Sequence, residues 1–185
     1  MKTESTAKFV TRLTVTLLLI TSVVAALLAL VDGVTAPRIA ELNAQKTQQA
    51  IEAVLPGGGE EMAEGEYNNE GGKVSAVYQG ENGYAVQVIP TGFNGTVTMM
   101  VGVDKSGSVL GISVVSQSET AGLGAVCAAT TSAGEEFRSQ FVGMSGSVSV
   151  TKDGGQVDAI SSATITSRAV CDGINAALAC VGAMG

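Results

Sequence analysis

Residues 73–89 read Lys-Val-Ser-Ala-Val-Tyr-Gln-Gly-Glu-Asn-Gly-Tyr-Ala-Val-Gln-Val-Ile and contain two short runs with a high preference for β-strand. The runs extend from Val74 to Gln79 and from Tyr84 to Ile89. Between them, Asn82-Gly83 is a dipeptide that readily adopts the positive φ angles of a tight hairpin turn. This stretch therefore predicts a β-hairpin.

A second pair of strands follows the first. From Gly95 to Val103, valine and methionine alternate with other residues, and Asp104-Lys-Ser-Gly107 then turns the chain into the run from Val109 to Val115. Four successive antiparallel strands indicate an α+β domain and argue against a βαβ nucleotide-binding fold.

Helices are predicted on both sides of these strands. Upstream, apolar residues at near-helical spacing predict a helix from Ala36 to Leu55, with Pro37 in its first turn. Glu60 to Gly72 is acidic, rich in glycine and without periodicity, which is typical of an exposed loop.

Downstream, Glu135 to Phe141 has the pattern of one or two helical turns, and Val148 to Thr151 that of another strand. A C-terminal helix is expected from Thr164 to about Val181. Its apolar stripe consists of Ile165, Ala169, Val170, Ile174, Ala177 and Leu178.

The N-terminal region has the composition of a membrane anchor. Residues 13–31 contain no charge and span nearly 30 Å as a helix, about the thickness of a bilayer core. Val34-Thr-Ala36 resembles a signal-peptidase site, but Pro37 follows it directly, so we expect the anchor to be retained. The preceding basic residues predict a cytoplasmic N-terminus and an extracytoplasmic main domain. The expected segments are 1–12 (cytoplasmic), 13–31 (single span), 32–72 (juxtamembrane helix and loop) and 73–185 (main domain).

Charge and composition exclude several classes of function. The first twelve residues hold three of the ten basic and one of the seventeen acidic residues, so the rest of the chain has a net charge of −9. Such a domain repels nucleic acid and anionic lipid. The chain has no histidine, and Cys127, Cys171 and Cys180 lack the spacing of metal ligands. We therefore expect no metal site, and we expect the three thiols to be buried and inert.

The start of the C-terminal helix carries an unusual density of hydroxyl groups, at Ser161, Ser162, Thr164, Thr166 and Ser167. Free amide groups and the helix dipole make such a start a binding site for phosphate, and one hydroxyl could form a phosphoester. The alternative from the residues alone is that Ser161 or Ser162 only caps the helix.

The pattern Asp158-x-x-Ser161-x-Ala163-Thr164 resembles the flavinylation motif Asp-x-x-Ser/Thr-Gly-Ala-Thr of the FMN-binding domain family. The resemblance implies that a flavin transferase joins FMN, through its phosphate, to the hydroxyl of Thr164. Ser162 stands where the family usually has glycine, and the added Cβ restricts the backbone there.

A second segment, Glu119-Thr-Ala-Gly-Leu-Gly124, is similar to the Glu-Thr-Pro-Gly-Leu-Gly loop of the same family. The resemblance implies that Glu119 and Thr120 bond near the flavin ring and that Leu123 covers its face. Lys152 either faces the phosphate or ring or is an exposed turn lysine. The expected cofactor-binding residues are Thr164, Asp158, Ser161, Ser162, Ala163, Thr166, Ser167, Glu119, Thr120, Gly122, Leu123, Gly124 and Lys152.

Further similarity extends from about Lys73 to the C-terminus. Within the family, the short chain with one anchor most resembles the G subunit of Rnf-type ferredoxin:NAD oxidoreductases, which is related to the C subunit of sodium-translocating NADH:quinone reductases. The resemblance implies an electron-transfer subunit with covalent FMN in a complex that translocates Na⁺ or H⁺, and it implies other membrane subunits as partners. The chain is not expected to be catalytic alone.

Two alternatives remain open. The domain could serve an extracellular electron-transfer system or a quinone reductase, or the chain could be a membrane-tethered assembly or binding module without redox chemistry.

Overall fold

The computed structural model describes residues 6–69 and 71–184. Residues 1–5 of the predicted cytoplasmic segment, Glu70 of the predicted loop and the terminal Gly185 lie outside the described residues. The chain forms two compact units, of which the first ends at Gln45 and the second begins at Lys46. The second unit thus begins well before Lys73, where the sequence places the start of the main domain.

The regular elements follow one another as a long helix, five strands and two further helices. They are α1 (Thr6–Val54), β1 (Glu60–Glu61), β2 (Val74–Gln79), β3 (Gly83–Val88), β4 (Thr98–Asp104), β5 (Val109–Ser116), α2 (Ser132–Ser139) and α3 (Thr164–Gly182), with 3-10 turns at Gly124–Ala128 and Thr151–Asp153.

The five strands form one antiparallel sheet in the order β1-β2-β3-β4-β5. Across it, Val77 lies opposite Val86, Val86 opposite Val101, and Val101 opposite Ile112. This row belongs to the main core, because side chains on one face of a sheet line up across neighbouring strands. The same core includes Phe137 and Phe141 from the α2 region and Val170, Ile174, Ala177 and Leu178 of α3.

The opposite face of the sheet is covered by the end of α1. Ala50, Ile51, Val54 and Leu55 are at most 4% exposed and pack with Ala85 of β3 and Met100 of β4. These residues explain why the compact unit begins at Lys46: they bury apolar surface against the sheet. In contrast, Ile39 and Leu42, which share the same predicted periodicity, are more than half exposed.

The α+β class and the antiparallel order of the strands are confirmed. β2 has the predicted bounds, β3 is shifted by one residue, and β5 ends one residue later than predicted. β4 begins at Thr98, three residues later than the predicted run. The C-terminal helix extends from Thr164 to Gly182, in agreement with the apolar stripe.

Three local predictions were wrong. Pro37 does not begin a helix but lies inside α1; it removes one N–H donor, and the helix-forming residues on either side continue the helix through it. Glu60–Glu61 belongs to β1, paired with Tyr78 and Gln79, and a two-residue pairing leaves no periodic signal in the sequence.

The third concerns Val148 to Thr151, which is not a strand of the sheet. Val150 makes one isolated parallel bridge to Val157, and the 3-10 turn begins at Thr151. Val148 and Val150 are both buried, with Ser149 between them less so. This alternation produced the strand-like pattern without a partner strand to pair with.

The first unit contains α1 up to Gln45, and its side chains from Lys8 onward are exposed. By length and composition this helix is able to cross a membrane, and no other helix in the described residues meets that criterion.

Candidate functional site

The sheet brings two loops together at one of its ends. Val88 at the end of β3 lies opposite Met99 of β4, and Ser116 at the end of β5 lies opposite Thr98. The loops after β3 and β5 therefore leave the sheet on the same side, where α3 also begins. The three segments line a cleft of about 320 Å³, at the lower end of the range for small-molecule sites. The lining residues are Phe93, Glu119, Thr120, Leu123, Gly124, Ser162, Ala163, Thr164, Ile165 and Thr166.

The first turn of α3 faces this cleft without a side-chain cap. Its N-cap residue is Ala163, and no side chain accepts a hydrogen bond from the first amide groups. The alternative that Ser161 or Ser162 caps the helix is therefore wrong. Amide groups at an uncapped helix start attract anions, and the helix dipole adds to this attraction.

The turn before α3 has a constrained backbone. Ser162 has a φ of 61°, and it is the one non-glycine residue with positive φ in the part of the chain that the structure describes. The Ala163 N–H donates to the carbonyl of Ile160 at 2.9 Å, which closes the turn. This geometry is the physical reason why glycine suits position 162.

The five hydroxyls near the helix start have different surroundings. Thr166 is 1% exposed and donates to the Glu119 carboxylate. Ser167 is fully buried, donates to the Ala163 carbonyl at 3.0 Å and accepts from the Ile160 N–H at 3.0 Å. Both hydroxyls stabilise the fold of the turn. Thr164 is half-buried and lines the cleft.

Lys152 is in direct contact with Thr164. It lies in the 3-10 turn Thr151–Asp153, and its Nζ donates to the Thr164 Oγ1 at 3.2 Å. The neighbouring Arg168 instead binds both oxygens of Asp153, with two contacts of 2.7 Å. That pairing holds the pKa of the Asp153 carboxyl below its usual value. Lys152, unlike Arg168, is therefore placed to contact a group attached at Thr164.

Glu119 joins the three walls of the cleft. One carboxylate oxygen accepts the Asn94 N–H at 3.0 Å, and the other accepts the Thr166 hydroxyl. A Cβ at Gly92 or Gly124 would overlap this carboxylate. Both glycines are thus required by the close approach of one buried side chain.

Apolar side chains form the open part of the cleft. Phe93 is 68%, Ile165 49% and Leu123 41% exposed. Single exposed apolar residues are ordinary, but three around one cleft indicate a surface for a flat apolar ligand.

A family model described as FMN-binding domain matches residues 92–179, which include the whole lining of the cleft. The G subunit of the ion-translocating oxidoreductase complex of Methanosarcina acetivorans is 35% identical over 184 residues, covering 94% of this chain and 95% of the relative. The G subunit of the Na(+)-translocating ferredoxin:NAD(+) oxidoreductase complex of Acetobacterium woodii is 32% identical, with 91% of this chain and 89% of the relative covered. The chain belongs to this G-subunit family.

The residues of this G-subunit chain fit FMN. The uncapped start of α3 and Lys152 suit a phosphate, because both present positive charge or N–H donors. Phe93, Leu123 and Ile165 suit the apolar faces of the isoalloxazine ring. The chemistry of the cleft thus agrees with an FMN-binding domain at both ends of the cofactor.

Most of the predicted site residues meet at the cleft. Glu119, Thr120, Leu123, Gly124, Ser162, Ala163, Thr164 and Thr166 line it. Five others lie outside its lining. Lys152 contacts the Thr164 hydroxyl but is not part of the lining. Ser167 is buried and bonds the Ala163 carbonyl in the turn before α3. Asp158 is exposed, and its backbone is hydrogen-bonded to the Gln140 side chain. Ser161 and Gly122 are exposed, and Gly122 has a φ of 75°.

Two lining residues were not among the predicted site residues. Ile165 was assigned to the buried stripe of α3, but it is half exposed and faces the cleft. That assignment was wrong because Ile165 is on the side of the first helical turn that faces the open cleft, whereas Thr166 and Ser167 of the same turn are buried. Phe93 lies between Gly92 and Asn94, and an isolated aromatic residue in a polar, glycine-rich loop was the available signal.

The three cysteines are unpaired and buried, as predicted. Burial, and then the negative charge of Glu119, raises the pKa of Cys127 to about 11. Burial also raises the pKa of Cys171 to about 11 and that of Cys180. Thiols with such pKa values are poor nucleophiles at neutral pH.

Proposed function

We propose that the chain carries FMN covalently through a phosphoester at Thr164 and transfers electrons within a membrane-bound, ion-translocating ferredoxin:NAD oxidoreductase. FMN supplies the electron chemistry when it is bound, since it is readily reduced and reoxidised. The chain's own residues attach the cofactor, orient it and shield it. The observation that carries the proposal is the position of the Thr164 hydroxyl at an uncapped helix start, 3.2 Å from Lys152.

Burial favours Thr164 over the neighbouring hydroxyls. Thr166 and Ser167 are at most 1% exposed, and each donates to an acceptor within the protein. Attaching a phosphate to either would break the packing at the start of α3. Ser162 also lines the cleft, but it precedes the helix and has the strained φ, so it is the control position rather than the preferred site.

The attachment reaction needs a donor in which the FMN phosphate is activated. A donor with a pyrophosphate bond satisfies the balance of atoms: the Thr164 oxygen forms the new P–O bond and the pyrophosphate bond breaks. The proton of the hydroxyl leaves, and a nucleoside monophosphate is released. A flavin transferase would catalyse this step, and Lys152 with the α3 amide groups would stabilise the charge on the phosphate.

The proposed location is the cell membrane, with a single span near residues 13–31 and a cytoplasmic N-terminus. The basic residues that precede the apolar segment support this orientation. The FMN-binding domain would then lie outside the cytoplasm, where a dissociated cofactor would be lost. Other membrane subunits of the complex are the proposed electron donor and acceptor, as the names of the two relatives suggest.

The test is to co-express the full-length chain with a flavin transferase. The denatured protein should fluoresce on a gel under ultraviolet light, and its intact mass should exceed that of the polypeptide by one FMN less one water. Thr164→Val keeps the shape and deletes the hydroxyl, so it should give a dark band and the bare mass. Ser162→Ala should remain fluorescent. A fluorescent Thr164→Val protein would contradict the attachment site, and a dark wild-type band would contradict the proposed function itself.

A further inference from the structure

The Glu119 side chain is an unusual component of the cleft because it is ionisable and buried. It is 8% exposed, and it is the one acidic or basic residue among the described residues that is classed as buried. Gly92 and Gly124 press against its carboxylate from two sides. Glycine at these two positions therefore leaves the room that the Glu119 carboxylate occupies.

The hydrogen bonds of Glu119 are those of an acceptor. Its carboxylate oxygens accept from the Asn94 N–H and from the Thr166 hydroxyl. Thr166 lies in the first turn of α3, and the positive end of a helix dipole interacts favourably with a carboxylate. The Glu119 charge also contributes to the raised pKa of Cys127.

Among the described residues, Glu119 takes part in no ion pair. The described residues, 6–69 and 71–184, form three ion pairs, and none of them includes Glu119. They are Arg38–Glu41, Lys73–Asp172 and Arg168–Asp153. Lys152 is directed at Thr164. The Glu119 carboxylate therefore lies in the wall of the cleft, largely shielded from solvent, without an ion-pair partner among the described residues.

We infer that the Glu119 carboxylate lowers the reduction potential of the flavin held in this cleft, because it opposes the arrival of further negative charge. This inference rests on the proposed function, since it needs the flavin to be attached at Thr164. Glu119 would act on the flavin through its charge, and its hydrogen bonds to Asn94 and Thr166 would hold the carboxylate in the wall of the cleft.

The expected size follows from Coulomb's law at an assumed separation that is long for a cleft of this volume. A cleft of about 320 Å³ keeps any enclosed group close to its wall. With an effective dielectric constant of about 20, a unit charge roughly 12 Å away changes a one-electron equilibrium by about tenfold. A tenfold change corresponds to about 59 mV for one electron.

The experiment measures the midpoint potential of the flavin in the full-length, flavinylated protein by spectroelectrochemical titration. The electrode supplies the electrons, the flavin is reduced, and any proton that follows comes from the buffer. Glu119→Gln removes the charge and keeps the shape, and its amide oxygen still accepts from Asn94. We expect its potential to shift by about 59 mV in the positive direction.

Two further variants separate charge from structure. Glu119→Asp keeps the charge but shortens the side chain and so disturbs the hydrogen bonds to Asn94 and Thr166; its potential should therefore shift much less than that of Glu119→Gln. Glu81→Gln removes an exposed carboxylate in the turn between β2 and β3, away from the cleft lining, and should have no effect. An equal positive shift in Glu119→Asp would overturn the inference, because lost geometry would then explain the change.

Three other outcomes would each overturn either this inference or the proposed function. An unchanged potential in flavinylated Glu119→Gln overturns this inference and leaves the proposed function intact. A wild-type protein without flavin overturns the proposed function. If Glu119→Gln and Glu119→Ala both fold but take up no flavin, Glu119 serves attachment rather than the potential, and the inference is wrong.

Discussion

The positive φ of Ser162 predicts that glycine at this position stabilises the protein. An L-residue in the left-handed region costs roughly 1–2 kcal/mol, whereas glycine adopts that region freely. Glycine in turn costs roughly 0.5–1 kcal/mol more conformational entropy on folding. The two ranges differ by about 0–1.5 kcal/mol, so the central expectation is that Ser162→Gly raises the free energy of unfolding by about 0.5–1 kcal/mol.

The assay is thermal unfolding of the full-length protein in detergent, followed by tyrosine fluorescence. The chain has no tryptophan, and its three tyrosines, Tyr67, Tyr78 and Tyr84, all lie in the unit that contains Ser162. For a unit of this size, the expected gain corresponds to a rise in Tm of about 1–4 °C. Flavin attachment should be at least as fast in the variant, since the backbone geometry before Thr164 is retained.

Ser162→Ala is the matched control. It deletes the hydroxyl and keeps the Cβ that causes the strain, so its Tm should not rise. A Ser162→Gly protein that is less stable than the wild type would refute the strain argument. An equal gain in Ser162→Ala would refute it as well, because the hydroxyl and not the φ angle would then be responsible.

Three further predictions concern the glycine at the cleft, a turn carboxylate and the cation beside Thr164. Gly124→Ala should lower the free energy of unfolding by about 1–3 kcal/mol in urea denaturation, because the added Cβ overlaps a buried carboxylate; Gly111→Ala, where a Cβ meets open space, should change it little. Hydrogen bonds from its own turn lower the pKa of Asp104, so its contribution to stability is present above the usual value of 3.8 and is lost as the pH falls through the lowered pKa. Asp104→Asn should therefore flatten the stability profile below about pH 4, measured by urea unfolding at several pH values. Lys152→Met should slow flavin attachment at Thr164 by about tenfold or more in a time course of in-gel fluorescence, since a charge-assisted hydrogen bond contributes about 1.5–3 kcal/mol; an unchanged rate would remove Lys152 from the site.

The sheet was predictable because its signals are local. The runs on either side of the first turn have a high β-strand preference, and the residues from Gly95 to Val103 alternate, so the bounds of β2 to β5 fall within three residues of those predicted. Neither Asn82 nor Gly83 has the positive φ expected of that turn, and Gly83 is already the first residue of β3. The role of residues 50–55 was not predictable in the same way. Their burial depends on contacts with Ala85 and Met100, which lie far along the chain.

The hydroxyl-rich start of α3 shows where sequence reasoning reaches its limit. Spacing alone leaves five similar groups in seven residues, and each can bond a phosphate. The fold distinguishes them by burial: Thr166 and Ser167 point into the protein and are bonded there, whereas Thr164 borders the cleft. Ile165 shows the converse error, because its place in the apolar stripe predicts a buried residue, whereas it faces the cleft and is 49% exposed.

The Glu119–Thr166 hydrogen bond explains why two distant segments make one site. The residues are 47 positions apart, and no local pattern connects them. Glu119 fixes the loop 119–124 against α3 and, through the Asn94 N–H, fixes the loop that carries Phe93. The carboxylate can do so only where Gly92 and Gly124 leave room. The glycines, the acid and the threonine are therefore one packing arrangement, and Thr164 borders the cleft because that arrangement holds the first turn of α3 in place.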